Sequence, residues 1–375
     1  MNVTLWAAGD LLGTELSDPV DLGGSEGNTV LRCRTAAGGS VIVKAFTNEP
    51  EGLRSFTSEA AGLSLQLAGP ALLGVDASVP LLVMEDLGGA PTLADVLLGD
   101  DPKAAQEGLL AWGRGLGELA AASVHRRADL AQLRTQYDKG MVSWEDEPWI
   151  ERNATDLLAL LAGAGIAVPR DLAGELARIG TVGGEEYPAF TPGDTCPYNA
   201  LLTPDGLQLV DFESARFQSV FLTAAYCRMP FANCWGVFSL PAWLAEEIEQ
   251  AFRAGVVAAY PALGEDAVWE AGMRRAIAVW TVDATVCLLP HTGEDGPLHP
   301  ALRSVPTRRQ VLRYRWESAS ALEDFPALAE TMRLLLREVA GRWDVGALPR
   351  YPAFADHDCD RRADGRWSDG VTGIR

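Results

Sequence analysis

Between Thr191 and Ser214 the chain reads TPGDTCPYNALLTPDGLQLVDFES. Asp194 is followed five residues on by Asn199 and a further twelve on by Asp211, each beside a short apolar run. Hard oxygen donors at the rims of buried strands suit magnesium, which takes one or two protein oxygens and leaves its other positions to water and phosphate. A carboxylate beside such a centre can orient a hydroxyl and accept its proton. Upstream, LGGSEGN places Gly23, Gly24 and Gly27 in a turn, and the strand-like run VIVK ends on Lys44. Glycines let the backbone approach a phosphate closely, and a lysine closing an apolar strand can hold phosphate oxygens. Glu59 lies fifteen residues after Lys44 in a helical stretch, where it can pair with the lysine. Taken singly, each feature has an ordinary explanation: a hairpin turn, a strand-edge lysine, an exposed helical acid, a capped turn. Their order along one chain matches what phosphoryl transfer needs, which is positioning and charge neutralisation more than covalent chemistry.

The elements that must position these groups follow from periodicity. TVLRCRT and SVIVKAF read as strands, with AAGG between them as a hairpin turn. In PEGLRSFTSEAAGLSLQLAG, Leu53, Phe56, Ala60, Leu63 and Leu67 recur at helical spacing, and ALLGVDAS and PLLVMED follow as strands. The first ~85 residues therefore read as a sheet with one helix. From Thr92 onward TLADVLLG, AAQEGLLAWGRGLGELAAASVHRR, WIERNATDLLALLAG and RDLAGELARIG predict helices. NALL and LQLVDF interrupt them as short strands, and helices resume around Thr223, over 242–259, 266–289 and 327–341.

Composition narrows the partners. The 375 residues are 48% hydrophobic with a formal net charge of −20, so a large core is available and no basic stripe for nucleic acid is visible. The start MNVTLWAAGD lacks a basic segment and a long apolar core, and the longest apolar stretches are too short or carry Asp283, so neither a leader nor a membrane span is expected. Six scattered cysteines, with no CxxC pair and no zinc-type spacing, point to buried free thiols in a reduced cytoplasm. His125 reads as a packing residue rather than a catalytic one.

GGSEGNTVLRC, VIVK, PGDTCPYNALL and LVDFES together resemble the aminoglycoside phosphotransferase and choline kinase-like family, whose catalytic loop reads H-G-D-x-x-P-x-N; Gly193, Asp194, Pro197 and Asn199 fit that pattern. The resemblance runs from Leu22 to about Tyr226. It implies an α+β, protein-kinase-like bilobal fold with a small β-rich N-lobe and a larger, mainly helical C-lobe. Residues 1–86 would be the nucleotide-binding lobe, 87–350 the catalytic and acceptor-binding lobe, and 351–375 a polar extension. It further implies ATP and Mg²⁺ as cofactors and a small hydroxylated molecule as phosphate acceptor. Asp194 would be the catalytic aspartate, Asn199 and Asp211 metal ligands, and Lys44 with Glu59 the nucleotide clamp, with adenine held by backbone around Glu85 to Leu87. No A-P-E segment follows the D-F motif, which disfavours a protein acceptor. Two departures stand out: Pro192 replaces the loop histidine, and Leu222 and Thr223 stand where an acid usually follows. They support a rival reading, a catalytically weak, kinase-like nucleotide-binding or regulatory module. A metal-dependent hydrolase using Asp194 and Asp211 would leave the glycine turn and lysine unexplained. Acids beside indoles, Trp144, Glu145, Asp146, Glu147 and Trp149, with Glu294 and Asp295 elsewhere, are the candidates for binding a cationic acceptor.

Overall fold

The computed structural model describes residues 2–355 apart from 26, 181–185, 232, 233, 235 and 299–304. The chain opens with helix α1 (Asn2–Leu12), then strands β1 (Leu16–Gly23), β2 (Asn28–Thr35) and β3 (Ser40–Phe46), helix α2 (Pro50–Ser64), and strands β4 (Leu72–Asp76) and β5 (Leu81–Glu85). The five strands form one antiparallel sheet in the order β1-β2-β3-β5-β4. Strand alternation separates its two faces. Val41 and Val43 join Ala8, Leu31 and Val83 in a small core under α1. Phe46 belongs to the main core, with Ile42 packed against it and Lys44 on that same side of β3. The sequence reading of one helix in this region is corrected here: α1 is a second one. Leu11 lies so close to Gly74 of β4 that a side chain there would collide with it.

The rest is mainly helical: α3 (Leu93–Leu97), α4 (Pro102–Ser123), α5 (Arg127–Tyr137), α6 (Trp149–Gly163) and α7 (Leu172–Gly180). Four short strands follow, β6 (Pro188–Thr191), β7 (Ala200–Thr203), β8 (Gly206–Leu209) and β9 (Arg216–Ser219). Helices α8 (Val220–Ala224), α9 (Ala242–Val257), α10 (Asp266–Leu288), α11 (Arg308–Ala319) and α12 (Pro326–Glu338) complete it. β7 and β8 fall within the strands expected at NALL and LQLVDF and pair with each other, whereas β6 and β9 form a second ladder that periodicity did not reveal. The helix starts are built locally: Thr92 makes a capping box with Asp95, and Asp101 accepts from the N–H groups of Lys103 and Ala104. The main core runs through both lobes, from Phe46 and Phe56 through Trp112, Phe212 and Trp269 to Trp316 and Phe354. The polar extension expected at 351–375 starts differently: Tyr351, Ala353 and Phe354 are buried, and Tyr351 Oη donates to Gly236 O at 2.7 Å. Positions 356–375, Cys359 among them, lie outside the described residues.

Two further expectations fail. Cys196 and Cys234 form a disulfide across 38 residues, so not all the thiols are free. Cys33 and Cys227 are free and buried, and Cys287 is free but exposed. The spacing gave no hint of the pair because the fold alone brings the catalytic-loop segment to residue 234. His125 is exposed beyond the end of α4, not packed. No described helix is long and apolar enough to cross a membrane.

Candidate active site

Lys44 is the centre of the cleft between the sheet and the helical lobe. Its Nζ lies 2.6 Å from Glu59 Oε2, 2.6 Å from Asp211 Oδ1 and 3.8 Å from Glu213 Oε2. Lys44 and Glu59 are 4% and 1% exposed, so neither charge is tolerable without the other. Burial works against the ammonium, but the surrounding carboxylates outweigh it and raise the Lys44 pKa, so the lysine stays charged. Burial pushes the Glu59 carboxyl up to about 7 against the pull of Lys44. α2 supplies Glu59 and the β8–β9 connection supplies Asp211, so the lysine links both lobes.

A cleft of about 750 Å³ opens here. Gly23, Gly24, Lys44, Glu59, Glu85, Leu87, Asp194, Asn199 and Asp211 all line it. Gly27 stands behind the turn, where its N–H donates to Ser25 Oγ and its carbonyl accepts from Thr47 N. Gly24 is required by shape: at φ 154° an added Cβ would fall 2.5 Å from Asn28 O. Val30, Ile42, Met84, Leu201 and Val210 give the cleft an apolar side next to the backbone that follows β5. That backbone is held by Asp86, which pairs with Arg32 at 2.8 Å and accepts from Ser40 Oγ and Gly88 N.

The loop carrying Asp194 is fixed from several sides. Gly193 N donates to Thr191 Oγ1, Cys196 N to Asp194 Oδ1, Asn199 Nδ2 to Asp194 O, and Trp112 Nε1 to Thr195 O. Gly193, at φ 103°, packs so tightly on Ser214 that a Cβ would sit 2.4 Å from its side chain. Pro192 is buried, and these bonds together with the Cys196–Cys234 bridge support the loop where a histidine was expected. The missing downstream acid is likewise replaced: Trp280 Nε1 donates to Leu222 O at 2.8 Å and Gln218 Nε2 to Thr223 Oγ1 at 3.4 Å, which anchors α8. Burial, then Asp211, raises Asp194 to about 7. Asp211 sits at φ 66°, an uncommon conformation for a residue with a side chain, at the turn that directs its carboxylate to Lys44.

One ammonium thus meets three carboxylates, Glu59, Asp211 and Glu213, and a fourth, Asp194, lines the same cleft. That excess of negative oxygen suits divalent cations. Because Asn199 Nδ2 is used by Asp194 O, its carbonyl oxygen is the end that remains for a cation beside Asp211. Among the described residues no group of three or more His, Cys, Asp or Glu could hold a metal on its own, so a cation here would need phosphate oxygens or water as well. Glu213 was missed by sequence reasoning although it lies two residues from Asp211. Asn28, also missed, donates to its Oε2 at 3.0 Å and ties the glycine turn to the opposite lobe.

The aromatic and acidic segment proposed for a cationic acceptor lies elsewhere, with its charges largely occupied. Glu145 pairs with Arg127 at 2.6 Å and Arg134 at 2.9 Å, and Glu147 with Arg54 at 2.5 Å and Arg152 at 2.6 Å. Asp146 accepts from Ser143 Oγ. Arg54 stacks on Trp144 at 3.5 Å, and Trp149 packs against Trp280 with ring centroids 5.4 Å apart. Asp295 is turned to its own loop, accepting from the N–H of Gly296 and Arg309.

The architecture is a protein-kinase-like bilobal fold, α+β. Solved structures carry the comparison, since no protein-family model and no curated protein sequence matches the chain. A choline kinase from Cryptosporidium parvum Iowa II aligns over 84% of this chain and 93% of its own, at 9% identity and a TM-score of 0.51. A macrolide 2′-phosphotransferase from Brachybacterium faecium aligns over 86% and 97%, at 15% identity and a TM-score of 0.48. A choline/ethanolamine kinase family protein from Mesorhizobium loti aligns over 85% and 93%, at 16% identity and a TM-score of 0.45.

Proposed function

We propose that this chain is a small-molecule O-phosphotransferase that moves the γ-phosphate of ATP, with Mg²⁺, to a hydroxyl of its acceptor. The observation that carries this reading is the Lys44 cluster. A buried lysine is fixed between Glu59 and Asp211, in one cleft with Asp194, Asn199 and a glycine turn. A binding module has no need of all these groups together. Residues 1–86 then form the lobe that holds nucleotide and 87–350 the lobe that holds catalyst and acceptor. Adenine lies against Val30, Ile42, Met84 and Val210, near the backbone of Glu85 to Leu87, and Lys44 and the Gly23–Gly24 turn hold phosphates. Asn199 and Asp211 would hold Mg²⁺, with Glu213 close by, and an ion bound there would neutralise charge on the phosphates. Asp194 orients the acceptor hydroxyl and takes its proton as the new O–P bond forms and the bond to the β-phosphate oxygen breaks, releasing ADP. Burial and the neighbouring Asp211 raise this carboxyl above the ordinary carboxylate range, which favours its taking a proton.

The test is an ADP-release screen with ATP and Mg²⁺ over a panel of hydroxylated small molecules. Turnover that requires both Mg²⁺ and one acceptor class supports the reading. Absence of nucleotide binding by thermal shift would overturn it.

A further inference from the structure

A second cavity, of about 240 Å³, backs onto the cleft across the segment 213–216 and is lined by Trp144, Trp149, Arg216, Gln218 and Leu222 among others. The shared wall is thin. Trp144 Nε1 donates to Glu213 O at 2.9 Å, Arg216 Nη1 donates to Ser214 O at 3.1 Å, and Glu213 itself lines the cleft. In the β6–β9 ladder Arg216 stands opposite Thr191, three residues before Asp194. Its guanidinium is near enough to Asp194 to favour the ionised carboxylate against burial.

Of the charged groups lining this cavity, Glu145, Asp146, Glu147 and Glu151 are acidic and Arg216 is the arginine, while Arg54, Arg127, Arg134 and Arg152 reach Glu145 and Glu147 from around it. Four of the arginines are consumed by Glu145 and Glu147. Arg216 differs: its Nε donates to Gln218 Oε1 at 3.0 Å and its Nη1 to a backbone carbonyl, both neutral. Among the described residues it forms no ion pair, although Asp194 lies near enough to interact with it. A guanidinium taken partly out of water with no carboxylate in hydrogen-bond contact is satisfied well by an anion, which its planar donors can grip through two oxygens.

We propose that this cavity is the acceptor subsite and that Arg216 recognises an anionic group, a carboxylate or phosphate, on the molecule whose hydroxyl is presented to Asp194. This rests on the phosphotransferase reading and replaces the expectation of a cationic acceptor held by Glu145 to Glu147, whose charges arginines already neutralise. Trp144 and Trp149 form apolar walls for the acceptor's carbon frame, and Arg216 sets its orientation.

The experiment measures ATP-dependent turnover on matched pairs: hydroxy acids with their primary amides, sugar phosphates with their parent sugars, and amino alcohols as the cationic arm. The anionic member of a pair is expected to have a kcat/KM about tenfold or more above its neutral partner. Arg216→Gln raises KM for the anion and removes the preference while changing kcat less, and Arg216→Lys restores part of it. Calorimetric titration of AMP-PNP with Mg²⁺ into Arg216→Gln checks that the variant is folded, since its nucleotide affinity should equal wild type. The same hydroxy acids and sugar phosphates are titrated into the AMP-PNP-loaded wild-type protein, where binding supports the proposal. Preference for amides or amino alcohols, an unchanged preference in Arg216→Gln, or failure of every anionic probe to bind would each overturn it. If nucleotide still binds in those cases, the phosphotransferase reading stands; if AMP-PNP does not bind wild type, both fall.

Discussion

The cleft and the neighbouring cavity meet at residues 213–216 and use charge in opposite ways. In the cleft, one buried lysine meets three carboxylates with Asp194 beside them, an imbalance that protons or incoming cations relieve. Around the cavity, Glu145 and Glu147 are each held by two arginines, and among the described residues the Arg216 guanidinium forms no ion pair. The same residue types therefore form an unbalanced cluster on one side and closed ion pairs on the other. Local balance separates the two roles, because a paired charge has little left to offer a ligand and an unpaired one does.

The contrast is most exposed to challenge at Asp194. Asp194→Asn removes the proton acceptor but leaves the nucleotide contacts, so kcat should fall on the order of 10²–10⁴-fold with ATP affinity nearly unchanged. Full activity in this variant would end the assignment. Next comes the lysine. Lys44→Met leaves Glu59 buried without its cation, and unfolding free energy should drop by about 3–5 kcal/mol in denaturant titrations. The loss should be larger at pH 8 than at pH 5, where Glu59 can be neutral. A variant as stable as wild type at pH 8 would mean that the cluster is not the link between the lobes.

On the cavity side effects should be smaller and structural. Glu145→Gln loosens the hold on Arg127, Arg134 and the N–H of Phe217, and should cost about 1–3 kcal/mol of stability with no change in nucleotide affinity. A change in nucleotide affinity without loss of stability would reverse the distinction drawn between the regions. The smallest expected effect belongs to Asp283, on the helix that carries Trp280. Burial raises its pKa from 3.8 to about 6, with Asn153 donating to it at 2.8 Å. Because its proton is held more tightly when folded, this group lowers stability as pH rises from about 4 to about 6, and the loss persists above. Asp283→Asn should therefore stabilise the protein at pH 8, on the order of 1 kcal/mol, and not at pH 4. Equal melting curves at pH 8 would show that the aspartate is better solvated than its surroundings suggest.

Much of the cleft was legible from sequence because its parts are local. VIVK alternates, so β3 must turn Lys44 away from Val41 and Val43; α2 carries Glu59 on its buried side; and D-x4-N with D-F fixes Asp194, Asn199 and Asp211 beside short strands. Elements whose buried residues break the apolar pattern were not legible. α5 buries only Leu130, so it has no apolar stripe, and α11 buries Arg315 among Val311, Leu312 and Trp316, so an arginine interrupts its stripe. β6 and β9 are four residues each, too short for alternation to register.

By itself the sequence determined the order and spacing of the groups in the cleft, because strand and helix periods decide which side chains share a face within one element. Only the tertiary structure decided that Glu145 and Glu147 meet arginines from α2, α5 and α6, that Cys196 meets Cys234, and that Arg216 forms no ion pair among the described residues. What a charge or a thiol does depends on which distant group the fold brings within a few ångströms, and no local period encodes that distance.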